Sequence, residues 1–296
     1  MVSATWDQTI RLTAGIDTWM AKLLFKLVPA KAAAWRRLHF TKTRKKVMQR
    51  VSEGPNGTKD FVHQVFHGKS DKPLLSPTEV VLDVSLLLVA GSETTSILLT
   101  AMTYCIGMHV RIYSKLVDEI RKAFTSDANI SLESTGNLPY LDACIKEALR
   151  IFPPASVANM RVVPAAGIVV QGMYLPGGTI AGVSPWAAAR SPSNFDAPEE
   201  YRPERWLHHD GNKSQASKDN LTASKPFGYG AKACLGVELA FAEVKLLMSK
   251  MLWHFDIRVY QDENLDWSFR SDSKAMKSSQ TLRVPELWVW YDKLAR

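Results

Sequence analysis

Cysteine is scarce in this sequence. Only Cys105, Cys144 and Cys234 occur, an odd number with no C-x-x-C pair. That excludes a disulfide framework and a structural zinc site of the usual spacing, and a reducing compartment fits best. A secretory signal is also lacking: Met1 to Gln8 carry no basic residue, and the apolar stretch that follows is broken by Arg11, Asp17 and Lys22. The N-x-S/T triplets at Asn56, Asn129 and Asn220 are therefore read as chance. No uninterrupted run of ~20 apolar residues is present, because Asp83 and Glu93 divide the most apolar region, so no transmembrane segment is expected. Internal repeats and low-complexity tracts are absent too.

Acid is missing from one stretch. Between Lys31 and Arg50 lie Lys31, Arg36, Arg37, Lys42, Arg44, Lys45, Lys46 and Arg50 with no Asp or Glu, which accounts for the whole net charge of +8. The first reading is the solvated face of an amphipathic helix. The second is contact with an anionic membrane surface or an acidic protein. Nucleic acid is not expected, since no nucleic-acid-binding motif accompanies the cations.

What is present reads as a folded, mainly helical protein. Residues 16 to 29 predict a short apolar helix ended by Pro29, and the basic helix follows. Gly54 to Gly57 form a turn-rich break. Ser76-Pro77-Thr78-Glu79 supplies an N-cap, a proline at the first helical position and the acid of a capping box. The long helix it opens is apolar on most sides, as a buried central helix would be. A second helix starts at Pro139 and is stopped by Pro153-Pro154. Residues 167 to 186 predict a small hairpin or sheet, with β-rich runs at Ile168–Val170 and Thr179–Val183. A polar loop over 208 to 224 precedes a helix from about Gly236, and the Trp-rich tail reads as short strands.

Three constellations carry chemistry. The first is Phe227-Gly-Tyr-Gly-Ala-Lys-Ala-Cys234-Leu-Gly236. A lone cysteine is usually a small buried hydrophobe. This one stands just before a helix N-terminus, where unpaired amide N–H groups favour a thiolate. The glycines let a flat ligand approach the backbone. The second is Ala90-Gly91-Ser92-Glu93-Thr94-Thr95, polar residues inside an apolar helix. Its bland reading is a solvent-facing acid with hydroxyls bonding back to the helix. The third is Glu147-Ala-Leu-Arg150, an i,i+3 pair of the kind common on surface helices, which the spacing sets near one face, away from the apolar stripe.

The cysteine segment resembles the ligand loop F-x-x-G-x-R-x-C-x-G of the cytochrome P-450 superfamily. Phe227, Gly230, Cys234 and Gly236 match, and Lys232 stands where the pattern has Arg, keeping the charge but not the bidentate fork. Glu147 and Arg150 resemble the family's E-x-x-R element, with Pro203-Glu-Arg-Trp206 as its partner loop. The resemblance runs from about Ser76 to Val259.

It implies the following. The fold is mainly α with small β-sheets, the C-terminal part of the cytochrome P-450 fold, in a single domain over 1–296. The cofactor is haem b, with Cys234 as its axial thiolate ligand. Arg161 and Lys232 serve the propionates. Gly91 widens the oxygen-binding groove, while Glu93 and Thr94 deliver protons there. Glu147, Arg150 and Arg205 form a buried structural charge cluster. The activity is a monooxygenase acting on an apolar small molecule, of a fungal secondary-metabolite tone, with electrons from an NADPH-dependent reductase. Its place is intracellular, at the cytosolic face of the endoplasmic reticulum. Because the central helix begins at Ser76, the family's anchor, early helices, most of its larger sheet and the opposite wall of the haem pocket are expected to be missing. The competing readings are a haem-binding remnant or accessory protein without turnover, and a basic membrane-peripheral binding protein.

Overall fold

The computed structural model describes residues 30–53, 60, 75–207, 219–260, 267, 277–278 and 281–294. The predicted helix over 16 to 29 and most of the polar loop fall outside them. The chain divides into two compact units, Met1–Glu93 and Thr94–Arg296.

In the first unit, α1 (Ala30–Ser52) is the basic helix, and α2 (Pro77–Met108) begins where the capping box predicts. The box is closed in both directions: Ser76 N–H donates to Glu79 Oε2 at 2.7 Å, and Glu79 N–H to Ser76 Oγ at 3.3 Å. Val47 of α1 is buried with Val80 and Val81, flanked by Phe40, Val51 and Leu75.

α2 departs from the buried central helix that its composition predicts. Val80 and Val81 are buried, and so is the stretch from Ile97 onwards, but Leu82, Leu86, Leu87 and Leu88 are exposed. Apolarity on all sides says that a helix tolerates cover all round, not which turns receive it. The helix is also long and apolar enough to cross a membrane by length and composition alone. A core helix of a soluble protein meets the same criterion.

The second unit is built on four long helices. The later turns of α2 bury Ile97, Leu98, Ala101, Met102, Cys105 and Ile106. α3 (Val110–Ala123), which the sequence reading did not name, buries Ile112, Leu116, Val117 and Ile120 on one face. α4 (Pro139–Ile151) is buried along nearly its whole length. α6 (Val237–His254) follows the cysteine loop, and a short α5 (Pro185–Arg190) is capped by Ser184.

α4 lacks a local cap, since Leu138 at its N-cap offers no hydrogen-bonding side chain. Glu119 of α3 replaces it, accepting the N–H of Tyr140 at 2.8 Å and of Leu141 at 2.9 Å. A carboxylate at a helix N-terminus also meets the positive end of the dipole. In the reverse direction, Arg121 donates to the carbonyls of Leu252 and Phe255 and so closes the C-terminal end of α6.

The strands form two-stranded antiparallel pairs: β1 (Arg161–Val162) with β4 (Ile180–Ala181), β2 (Ile168–Val170) with β3 (Met173–Leu175), β5 (Phe255–Val259) with β8 (Val289–Lys293), and β6 (Lys277–Ser278) with β7 (Leu282–Arg283). Gln171 and Gly172, both at positive φ, make the two-residue turn between β2 and β3. A mainly helical fold with small sheets is what the sequence predicts.

Candidate functional site: an exposed thiol at the head of a helix

Burial separates the three cysteines. Cys105 and Cys144 lie in the core, and loss of water there pushes both thiols well above their ordinary pKa. They stay neutral near pH 7 and are poor thiolate donors. Cys234 alone is exposed.

Its loop is held by short-range contacts. Cys234 N–H donates to the Phe227 carbonyl at 2.8 Å, closing the loop at its base. The Phe227 ring packs 5.7 Å from that of Phe241, which ties the loop to α6 and the core. Between them, residues Gly230–Lys232 form one 3-10 turn. Gly228 and Gly230 take φ of +74° and +73°, a region that side chains with a Cβ rarely adopt. A Cβ built on Gly230 would meet nothing within 4 Å, so conformation rather than crowding within the chain favours glycine there. At Gly228 a Cβ would lie 3.6 Å from Asn159 Nδ2, which places the loop beside the segment that leads into β1.

Gly236 is the N-cap of α6, and its N–H donates to Cys234 Sγ at 3.3 Å. The sulfur thus sits at the positive end of a helix with one donor already on it. Tyr229 and Leu235 on the same loop and Leu239 in the first turn of α6 are exposed too. Val162 on β1 and Ile180 on β4 are exposed as well. An outward thiol, two glycines at positive φ and exposed apolar side chains fit a flat, apolar, thiolate-ligated ring.

Arg161 opens β1, is exposed and donates to the Met160 carbonyl at 3.0 Å; Lys232 is exposed on the loop itself. Neither has a described carboxylate within salt-bridge distance, so both are available to an anionic group. Gly91 lies on α2, and a Cβ there would meet nothing within 4 Å. Gly91 and Glu93 belong to the first unit and Thr94 opens the second. Glu93 and Thr94 are half-buried.

The E-x-x-R pair is far from a surface pair. Glu147 and Arg150 are fully buried, which overturns the reading from spacing alone, and Arg205 joins them as the resemblance implies. Arg150 grips Glu147 with two parallel bonds of 2.9 Å, Nε to Oε2 and Nη2 to Oε1. Arg205 Nε donates to Glu147 Oε1 at 3.1 Å. Trp206 Nε1 donates to Oε2 at 2.9 Å, and the Arg202 backbone N–H to Oε1 at 2.9 Å. The remaining guanidinium protons of Arg150 go to the carbonyls of Ala189, Pro198 and Glu200. Those of Arg205 go to Asp219 Oδ2 and the Ala197 carbonyl. Asp219 was missed by sequence reasoning, because it stands alone at the far end of the polar loop with no spacing to mark it.

The family model described as cytochrome P-450 matches residues 2–283. The chain belongs to the cytochrome P-450 family. Among its relatives, the cytochrome P-450 monooxygenase aba2 of Botryotinia fuckeliana is 41% identical over 99% of this chain and 56% of its own length. The abl2 monooxygenase of Leptosphaeria maculans is 39% identical over 100% of this chain and 54% of its own. Averantin hydroxylase of Dothistroma septosporum is 33% identical over 93% and 49%. A cyanobacterial cytochrome P-450 solved with bound retinoic acid superposes at a TM-score of 0.73 with 26% identity, covering 89% of this chain and 57% of that one. The chain therefore spans about half the length of these relatives, 56% of aba2 for example. P-450 membership implies a haem iron with a cysteine thiolate ligand.

Proposed function

We propose that this chain carries the thiolate side of a haem-dependent monooxygenase acting on an apolar small molecule, in fungal secondary metabolism. The observation that carries the reading is the exposed Cys234 Sγ, two residues before the N-cap of α6, with the Gly236 N–H on it. Haem b, when bound, supplies dioxygen activation, and a thiolate ligand favours O–O cleavage by donating electron density to iron.

The chain's own residues have distinct parts in this reading. Cys234 is the only protein ligand to iron. Gly236 N–H fixes the direction of the sulfur and tempers its charge. Phe227 holds the loop on the core, and Gly230 leaves room for a flat ring to approach the backbone. Arg161 and Lys232 neutralise the propionates, Lys232 as a point charge rather than a fork. Gly91 keeps one face of α2 open. Glu93 supplies a proton that the Thr94 hydroxyl passes into the groove. Electrons come from an NADPH-dependent reductase, at the cytosolic face of the endoplasmic reticulum. Residues 1–296 belong to a single P-450 domain, since the family match crosses the boundary between the two units.

The test is product formation by the haem-loaded chain with a reductase, NADPH, isotopically labelled dioxygen and a panel of apolar small molecules. One labelled oxygen atom per product is expected. Thr94→Ala should lower product per NADPH consumed while leaving haem content unchanged. Full haem loading with no labelled product would favour a second reading, a haem-binding remnant without turnover.

A further inference from the structure

One side chain beside the Cys234 loop takes no part in the haem reading so far. The point that a Cβ on Gly228 would occupy lies 3.6 Å from Asn159 Nδ2 and 3.9 Å from the Lys232 carbonyl oxygen. Asn159 and Lys232 therefore meet across the glycine turn that precedes the cysteine. Asn159 is exposed, and its amide makes no hydrogen bond with any described residue. Arg161 follows two residues later. A Cβ on Gly182, the residue after β4, would lie 3.3 Å from Ala158 Cβ, the Asn159 carbonyl oxygen and Met160 Sδ. The chain leading into β1 thus already runs beside the continuation of β4. Residues two apart on an extended chain share a side, which sets Asn159 with Arg161.

These side chains offer an anion different things. Arg161 is a fork of donors, whereas Lys232 is a point charge at the position where the family pattern has a second fork. A carboxylate accepts at both oxygens, and the planar match of a fork is what a lone ammonium cannot give. A neutral amide N–H beside the lysine adds a directed donor without adding charge. We infer that Asn159 Nδ2 donates to a haem propionate and, together with Lys232, replaces the arginine fork that the loop lacks. The inference rests on the haem reading above and assigns Asn159 to that site as a binding residue.

The test is spectrophotometric titration of the full chain with ferric haem b and, in parallel, with haem dimethyl ester, whose capped propionates carry no charge. Asn159→Ala should weaken haem b binding about tenfold, as for a hydrogen bond to a charged acceptor, and leave affinity for the ester unchanged. In the Lys232→Arg background the fork is restored, and the same substitution should shift haem b affinity by no more than about twofold. Circular dichroism and melting temperature of haem-free Asn159→Ala should match the parent, as for a surface substitution. Unchanged haem b affinity in Asn159→Ala, an equal loss with the ester, or an equal loss in the Lys232→Arg background would each overturn the inference while leaving Cys234 as the ligand. Absence of a thiolate-type Soret band from the parent chain would overturn the haem reading and this inference with it.

Discussion

Glu147 holds the densest knot of polar contacts in the second unit. Its two oxygens accept from Arg150, Arg205, Trp206 and the Arg202 backbone, with no water-accessible surface. Removing the carboxylate would leave the buried Arg150 guanidinium without its carboxylate and Arg205 with Asp219 alone. Breaking such a cluster on one side costs about 3–5 kcal/mol, a large share of the stability of a domain. Glu147→Ala is therefore expected to yield insoluble or haem-free protein. A soluble, fully haem-loaded variant that is merely slow would show that the cluster acts in chemistry rather than folding. The sequence displays Glu147 and Arg150 as a pair and Arg205 in its partner loop. It does not display their burial, because the partners that make burial tolerable are carbonyls and a carboxylate scattered from Ala189 to Asp219. Spacing along one helix carries no information about those.

At the scale of elements, sequence signals were reliable where both halves of an interaction lie close together. The capping box at Ser76 and Glu79, the proline start of α4 and the glycine at the head of α6 are all within one turn, and each marks its helix end. Elements that depend on distant partners were not legible. α3 shows a clear helical spacing of Ile112, Leu116, Val117 and Ile120, so period counting over that window would have found it. Its role would have stayed hidden, since Glu119 caps a helix that starts 20 residues later. Glu119→Ala removes two hydrogen bonds to a charged acceptor and leaves the first amides of α4 without a cap. A loss of about 2 kcal/mol is expected, measured by chemical denaturation. Glu119→Gln should recover part of it. If Glu119→Ala were neutral, water would be replacing the cap and α4 would not need α3 to begin.

For the molecule as a whole, family and half-length coverage together set the expectation: the chain has the thiolate loop and the E-x-x-R core, in a stretch about half as long as its relatives. Stability against acid should depend on carboxylates that hold the second unit together. Hydrogen bonds from Lys250 at 2.8 Å and His254 at 2.9 Å hold the Asp127 carboxyl below its ordinary pKa. A depressed folded value means stabilisation that is present above the unfolded pKa and lost as pH falls through the folded one. Asp127→Asn should therefore flatten the fall in melting temperature below about pH 4 and leave the neutral-to-alkaline side of the curve with the same shape. An unchanged acid limb would place the acid sensitivity elsewhere.

The central claim is that Cys234 is the thiolate that binds haem iron, with Cys105 and Cys144 kept neutral in the core. The most direct measurement is the carbon monoxide difference spectrum of the reduced, haem-reconstituted chain beside that of Cys234→Ser, with haem content determined for both. The account predicts the thiolate-type Soret band in the parent chain and its complete loss in the variant. Persistence of that band in Cys234→Ser, at comparable haem content, would contradict it.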